Sequence, residues 1–119
     1  MRGVIVAVLV LLSPLAAGAH HGWGGYVESL SDLSGTVETT VSLAGPHATM
    51  RVSAEGHVWD VVLAPPARTQ AAGVKAGMIP VGAKVIVHGQ RHADPRKFEI
   101  KTTRLTWNGK TYLVYADRE

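Results

Sequence analysis

The stretch GTVETTVSLAGPHATMRVSAEGHVWDVVL, residues 35–63, decides the fold. Its first part alternates, with Val37, Thr39, Val41 and Leu43 on one face and Thr36, Glu38, Thr40 and Ser42 on the other. A period of two carried by β-branched residues marks a half-buried strand. Ala44-Gly45-Pro46 breaks the pattern. A second alternating run then sets Ala48, Met50 and Val52 against His47, Thr49, Arg51 and Ser53. Glu55-Gly56 reads as a tight turn, and His57 to Leu63 as a third strand whose Val61-Val62-Leu63 end is apolar on both faces. Pro65 and Pro66 stop it, because proline has no N–H to donate to a ladder.

Beyond this core stretch, Arg68 to Met78 is the single helical candidate of the mature chain. Gly73 and Gly77 each cost about 1 kcal/mol against alanine in a helix, so one or two short turns are expected. Lys84 to Gly89 forms a short alternating strand, Asp94-Pro95 a turn, and Phe98 to Trp107 another strand. Asn108-Gly109 is a strong two-residue hairpin signal returning the chain through Tyr112 to Tyr115. Three strands, a short helix and two or three further strands predict an all-β fold. The expected architecture is a small five- to six-stranded OB-like barrel over residues 35–119, with a small open sandwich as the alternative.

The other end of the chain reads as an export signal. Arg2 is a positive start, Val4 to Leu12 an apolar run, and Ala17-Gly18-Ala19 places small residues where a signal peptidase inspects them. Residues 1–19 are therefore expected to leave as a signal peptide, with the cut before His20 and a periplasmic or secreted location. Ser13 and Pro14 interrupt the run well short of the about 20 apolar residues a membrane span needs. Residues 20–34 are rich in Gly, Ser, His and aromatic side chains without a period, and read as an N-terminal arm.

What remains suits one small domain. The chain has 12 Lys and Arg against 9 Asp and Glu. Loss of Arg2 with the leader leaves eleven against nine, a net charge of +2, with no basic run to follow a phosphate backbone. Nucleic acid is not an expected partner. Cysteine is absent, which excludes disulfides and thiolate chemistry. No nucleophile elbow, phosphate loop or zinc-protease motif occurs. The carboxylates Glu28, Asp32, Glu38, Glu55, Asp60, Asp94 and Glu99 are scattered, so the sequence predicts a protein that is not an enzyme.

The sharpest chemistry lies at the new N-terminus. Cleavage would leave His20 with a free α-amine beside its own imidazole, two nitrogens able to chelate one metal ion. The amine titrates near 7.7–8.0, so a metal must displace its proton. Nitrogen ligands of this kind favour Cu(II) on the Irving–Williams order. His21, or His47 from the start of the second strand, would supply a further imidazole. His20, His21 and His47 are thus the candidate copper ligands, although a paired histidine after a leader also serves as a plain soluble linker. His57, His88 and His92 read as surface residues. Met50 and Trp59 alternate with apolar neighbours and read as core.

Several segments carry a resemblance. They are Ala19-His20-His21-Gly22-Trp23, Gly35-Thr36-Val37, Gly45-Pro46-His47-Ala48 and Trp59 to Pro66, followed by Gly82-Ala83-Lys84-Val85 and Asn108-Gly109-Lys110-Thr111. In that order the chain resembles the domain-of-unknown-function family 6152, small exported bacterial proteins, over nearly its whole mature length. The resemblance implies export but no activity, and its residues suited to binding are His20, His21, Trp23 and His47. Pro46 to Val52 is also similar to the metal-binding strand of the periplasmic copper- and silver-efflux metallochaperones, which share the OB-fold. There only Met50 matches a ligand position, with Ala48 and Gly45 in place of a second methionine and a tryptophan. Two functions follow as expectations: a copper-binding module, or a metal-free module meeting a protein or a cell-envelope glycan.

Overall fold

The computed structural model describes residues 23–119. The expected signal peptide, and His20 and His21, lie outside these residues. The elements are β1 (Ser31–Ser42), β2 (Thr49–Ala54), β3 (His57–Val62), α1 (Pro66–Ala71), β4 (Lys84–Arg91), β5 (Glu99–Trp107) and β6 (Lys110–Leu113). A 3₁₀ turn over Ala116–Arg118 follows β6. The strands lie in the order β3-β2-β1-β4-β5-β6. β3 also pairs with β5 in parallel, Asp60 opposite Glu99 and Val62 opposite Lys101. That pairing closes five strands into a barrel, with β6 added along β5. The all-β, OB-like reading of the sequence holds.

β1 organises the barrel by changing partners along its length. Residues 31–36 pair with β4, and residues 36–42 with β2. Where β1 leaves β4, the segment after α1 takes over: Val37 N–H donates to Ala83 O, Gly82 N–H to Val37 O, and Gly77 N–H to Val41 O. No stretch of this central strand loses its ladder, as a buried backbone requires.

Two sequence expectations are corrected here. Residues 31–34, assigned to the arm, are the first third of β1. Gly35 hid them, interrupting the apolar alternation of Leu33 and Val37. A Cβ at Gly35 would stand 2.6 Å from Ser53 O, so the crossing of β1 and β2 demands the gap. Thr39, expected inward with Val37 and Val41, is exposed. The β1–β2 register shifts between Val37 and Thr39 and again between Thr39 and Ser42. Such bulges turn a side chain to the other face.

The short helix starts at Pro66, two residues before the expected Arg68, because proline suits the first helical position. It ends before Gly73 and Gly77, whose φ values of 98° and 69° are left-handed. Thr69 is fully buried and donates from Oγ1 to Ala64 O at 2.9 Å. The connection then drops Val74 and Ile79, both 0 % exposed, into the core formed by Leu33, Val52, Val61, Val87, Ile100 and Leu105. Met50 and Trp59 are buried as expected, and Trp59 Nε1 donates to Ala54 O at 2.9 Å. Both expected turns form. Glu55-Gly56 and Asn108-Gly109 each supply the two positive φ values that a tight right-twisted hairpin needs. β4 runs to Arg91, two residues past expectation, across a bulge between His88 and Gly89.

Candidate functional site

Of the three expected copper ligands, His47 alone falls among the described residues. It stands in the bend joining β1 to β2, next to Ala48, whose N–H donates to Ala64 O and whose carbonyl accepts from Leu63 N–H, both at 2.8 Å. The side chain is half-buried. Burial lowers its pKa, and the nearby charge of Lys101 lowers it further, so the ring is neutral at neutral pH. A neutral imidazole is the form that ligates a metal.

Lys101 was not legible as a site residue. It sits on β5 between Ile100 and Thr102 and is only 4 % exposed. Its side chain reaches a shell of aromatic rings. The ammonium lies 4.9 Å from the Trp23 ring centroid and 5.9 Å from that of Tyr26. Desolvation lowers its pKa, and the Arg118 charge adds to that, against an opposing pull from Glu99. Ammonium over indole is a favourable contact worth about 0.5–2 kcal/mol, more as water is excluded.

Trp23 is the anchor of the arm. Tyr115 meets it edge-on, centroids 5.1 Å apart at 76°, and the Arg118 guanidinium lies 4.3 Å from its ring centroid. Arg68 in turn covers Tyr115 at 4.4 Å. Three residues on, Tyr26 donates a short hydrogen bond to Glu99 Oε2 and bridges to His92. Burial, then the Glu99 carboxylate, pushes the Tyr26 hydroxyl well above the usual phenol range. Val27 N–H donates to Arg91 O and Ala93 N–H to Gly25 O, so the described part of the arm is laced to the β4–β5 loop. Residues 23–30 of the predicted arm form a loop, but a docked one.

The remaining histidines occupy separate places. His57 is exposed, as expected, and stacks on Phe98 with centroids 3.8 Å apart. His88 is half-buried, with Nδ1 2.6 Å from Asp32 Oδ1 and Nε2 4.0 Å from Glu119 Oε2. His92 accepts from Asp94 N–H at 2.9 Å. Among the described residues no three His, Cys, Asp or Glu side chains converge as a metal site. The described residues also contain no helix long and apolar enough to cross a membrane.

A broad groove lies elsewhere. It has a volume of about 570 Å³ and runs over the outer face of β1 and β4, from the Glu55-Gly56 turn to the Asn108-Gly109 turn. A smaller hollow of about 310 Å³ lies over β2, lined by Thr39, Thr49, Arg51 and Asp60 among others. Arg51 Nε and Asp60 Oδ1 pair across it at 3.0 Å. No protein-family model matches the chain and no curated protein matches its sequence, so the family 6152 resemblance gains no support from them and this barrel must be read from its own residues.

Proposed function

We propose that the chain is a small exported binding protein that holds Cu(II) through the amine and imidazole of His20, with His47 as a further nitrogen ligand. The observation that carries this reading is the docking of Trp23. Trp23 rests against Lys101, and Lys101 is close enough to His47 for its charge to act on that ring. His20 is three residues upstream of Trp23, a reach of roughly 10 Å of extended chain. An arm of that reach supports a chelate shared between His20 and His47, whose pKa is lowered by its burial and by Lys101. The lowered pKa of His47 helps, because less proton has to be displaced when a metal binds.

The proposal includes cleavage before His20, since a peptide nitrogen in place of the amine would break the chelate. Mass spectrometry of the secreted species should begin at His20. Cu(II) added to that species should quench tryptophan emission and give a visible d–d band. One alanine inserted before His20 should abolish both signals. His47→Ala should weaken binding by about tenfold, near 1.4 kcal/mol. An affinity that ignores both changes overturns the reading.

A further inference from the structure

The groove over β1 and β4 has the chemistry of a carbohydrate site. Its floor is made of the outward side chains of four adjacent strands, placed by register. Thr36 stands opposite Ser53 on β2 and opposite Lys84 on β4. Ser34 stands opposite Ile86, and Ile86 opposite Thr106 on β5. Two cross-strand rows therefore present four hydroxyls, Ser34, Thr36, Ser53 and Thr106, on one face. Each hydroxyl both donates and accepts.

Apolar surface lies between the hydroxyls. Ile86 is 42 % exposed in the middle of this face, between Ser34 and Thr106 in register. A pyranose offers the complementary pattern of hydroxyl edges around C–H faces. The volume of about 570 Å³ lies within the range of small-ligand sites.

Charge and edges argue against other occupants. Lys84 Nζ donates to Thr36 Oγ1 at 2.8 Å, which ties the floor's cation to a hydroxyl. Glu55 at the rim is clamped by Arg91 through two bonds of 2.9 and 3.0 Å. One cation does not make a polyanion site, and an anionic ligand would also face Glu55. β2, β1, β4 and β5 are hydrogen-bonded to one another across the floor, so no open edge is offered to an extended peptide.

We infer that this groove binds a neutral saccharide of one or two rings, using the hydroxyl rows of Ser34, Thr36, Ser53 and Thr106 around Ile86. The site lies at the opposite end of β2 from His47 and is independent of the copper reading.

The test uses the whole secreted chain, with chitobiose and cellobiose as probes and amide NMR as the readout. Addition of one of the sugars should move the amides of Ser34, Gly56, Ile86 and Asn108 and leave those of Arg51 and Asp60 in place. Ser34→Trp, at an exposed position, should fill the groove and weaken binding by about tenfold or more. Thr106→Val keeps the shape, removes one hydroxyl and should weaken it by a few-fold, which serves if the tryptophan variant fails to fold. His47→Ala should leave sugar binding unchanged. The inference is overturned if neither sugar moves the groove amides. It is equally overturned if inorganic phosphate moves them, the sugars do not, and Lys84→Gln removes the effect, since the groove would then be an anion site.

Discussion

β2 joins two surfaces of opposite construction. Near its first residue, Lys101, Arg118 and Arg68 are stacked against Trp23, Tyr26 and Tyr115, and His47 shares the field of Lys101. Near its last, a broad groove carries hydroxyls and a single lysine already bonded to a threonine. The first surface holds a segment of its own chain and spends its cations on ring faces. The second turns its hydroxyls outward, with Thr36 bonded to Lys84 and Thr106 to Thr111. The contrast separates a surface covered by the chain's own arm from one left open.

The largest expected effect comes from the strand pair beneath the aromatic cluster. A Cβ at Gly89 would stand 2.1 Å from Lys101 O. Gly89→Ala must therefore push β4 off β5, at a cost of about 3 kcal/mol in urea melts. In the folded fraction, amide shifts should spread through Lys101 and Thr102 but spare Ser34 and Asn108. Equal disturbance at both surfaces would erase the separation drawn here.

Next in size is Trp23→Ala. It removes one edge-on aromatic pair and two cation–ring contacts, with an expected loss of about 2 kcal/mol by thermal or denaturant melting. Cu(II) affinity should fall with it, while sugar binding at the groove stays constant. Lys101→Met is smaller and acts on charge. The His47 pKa should rise, as followed by its ring protons in NMR, yet remain below the ordinary value because burial is the larger cause. Cu(II) affinity should increase, since a repelling cation is gone.

The smallest effect concerns acid. The Arg91 hydrogen bond holds the Glu55 carboxyl below its usual range, more than offsetting its desolvation. A carboxyl lowered in this way adds stability above its unfolded pKa and loses it as pH falls through the folded value. Glu55→Gln should thus lower stability slightly near neutrality and not in strong acid, flattening the acid limb of a melting series. The effect is small because the carboxylate side chain is 51 % exposed and screened by water. Sugar binding should survive this change, since the groove is read as neutral.

Strand order and turns were legible because they rest on local rules. Val37 and Val41, the two hairpin turns, and the glycines after α1 state their roles within a few residues. Gly35 misled because its cause, the backbone of Ser53, is distant in sequence. Lys101 was hidden for a similar reason. A lysine inside a strand ordinarily reads as an outward residue, and the rings of Trp23 and Tyr26 that it meets come from a segment without periodicity. The groove escaped notice because each of its hydroxyls is an unremarkable outward residue. Their alignment exists only in the register of β1 with β2, β4 and β5.

The contact of Trp23 with Tyr115 and Arg118 has one more consequence. It brings the beginning and the end of the described chain side by side, so a short linker could join them and new ends could be opened at Asn108-Gly109. Such a circularly permuted protein would keep the barrel and His47 but cut the groove's Asn108-Gly109 rim, while a histidine embedded in the linker would have no free amine. One rearrangement of connectivity would thus silence the terminal chelate while leaving the His47 end of the barrel intact.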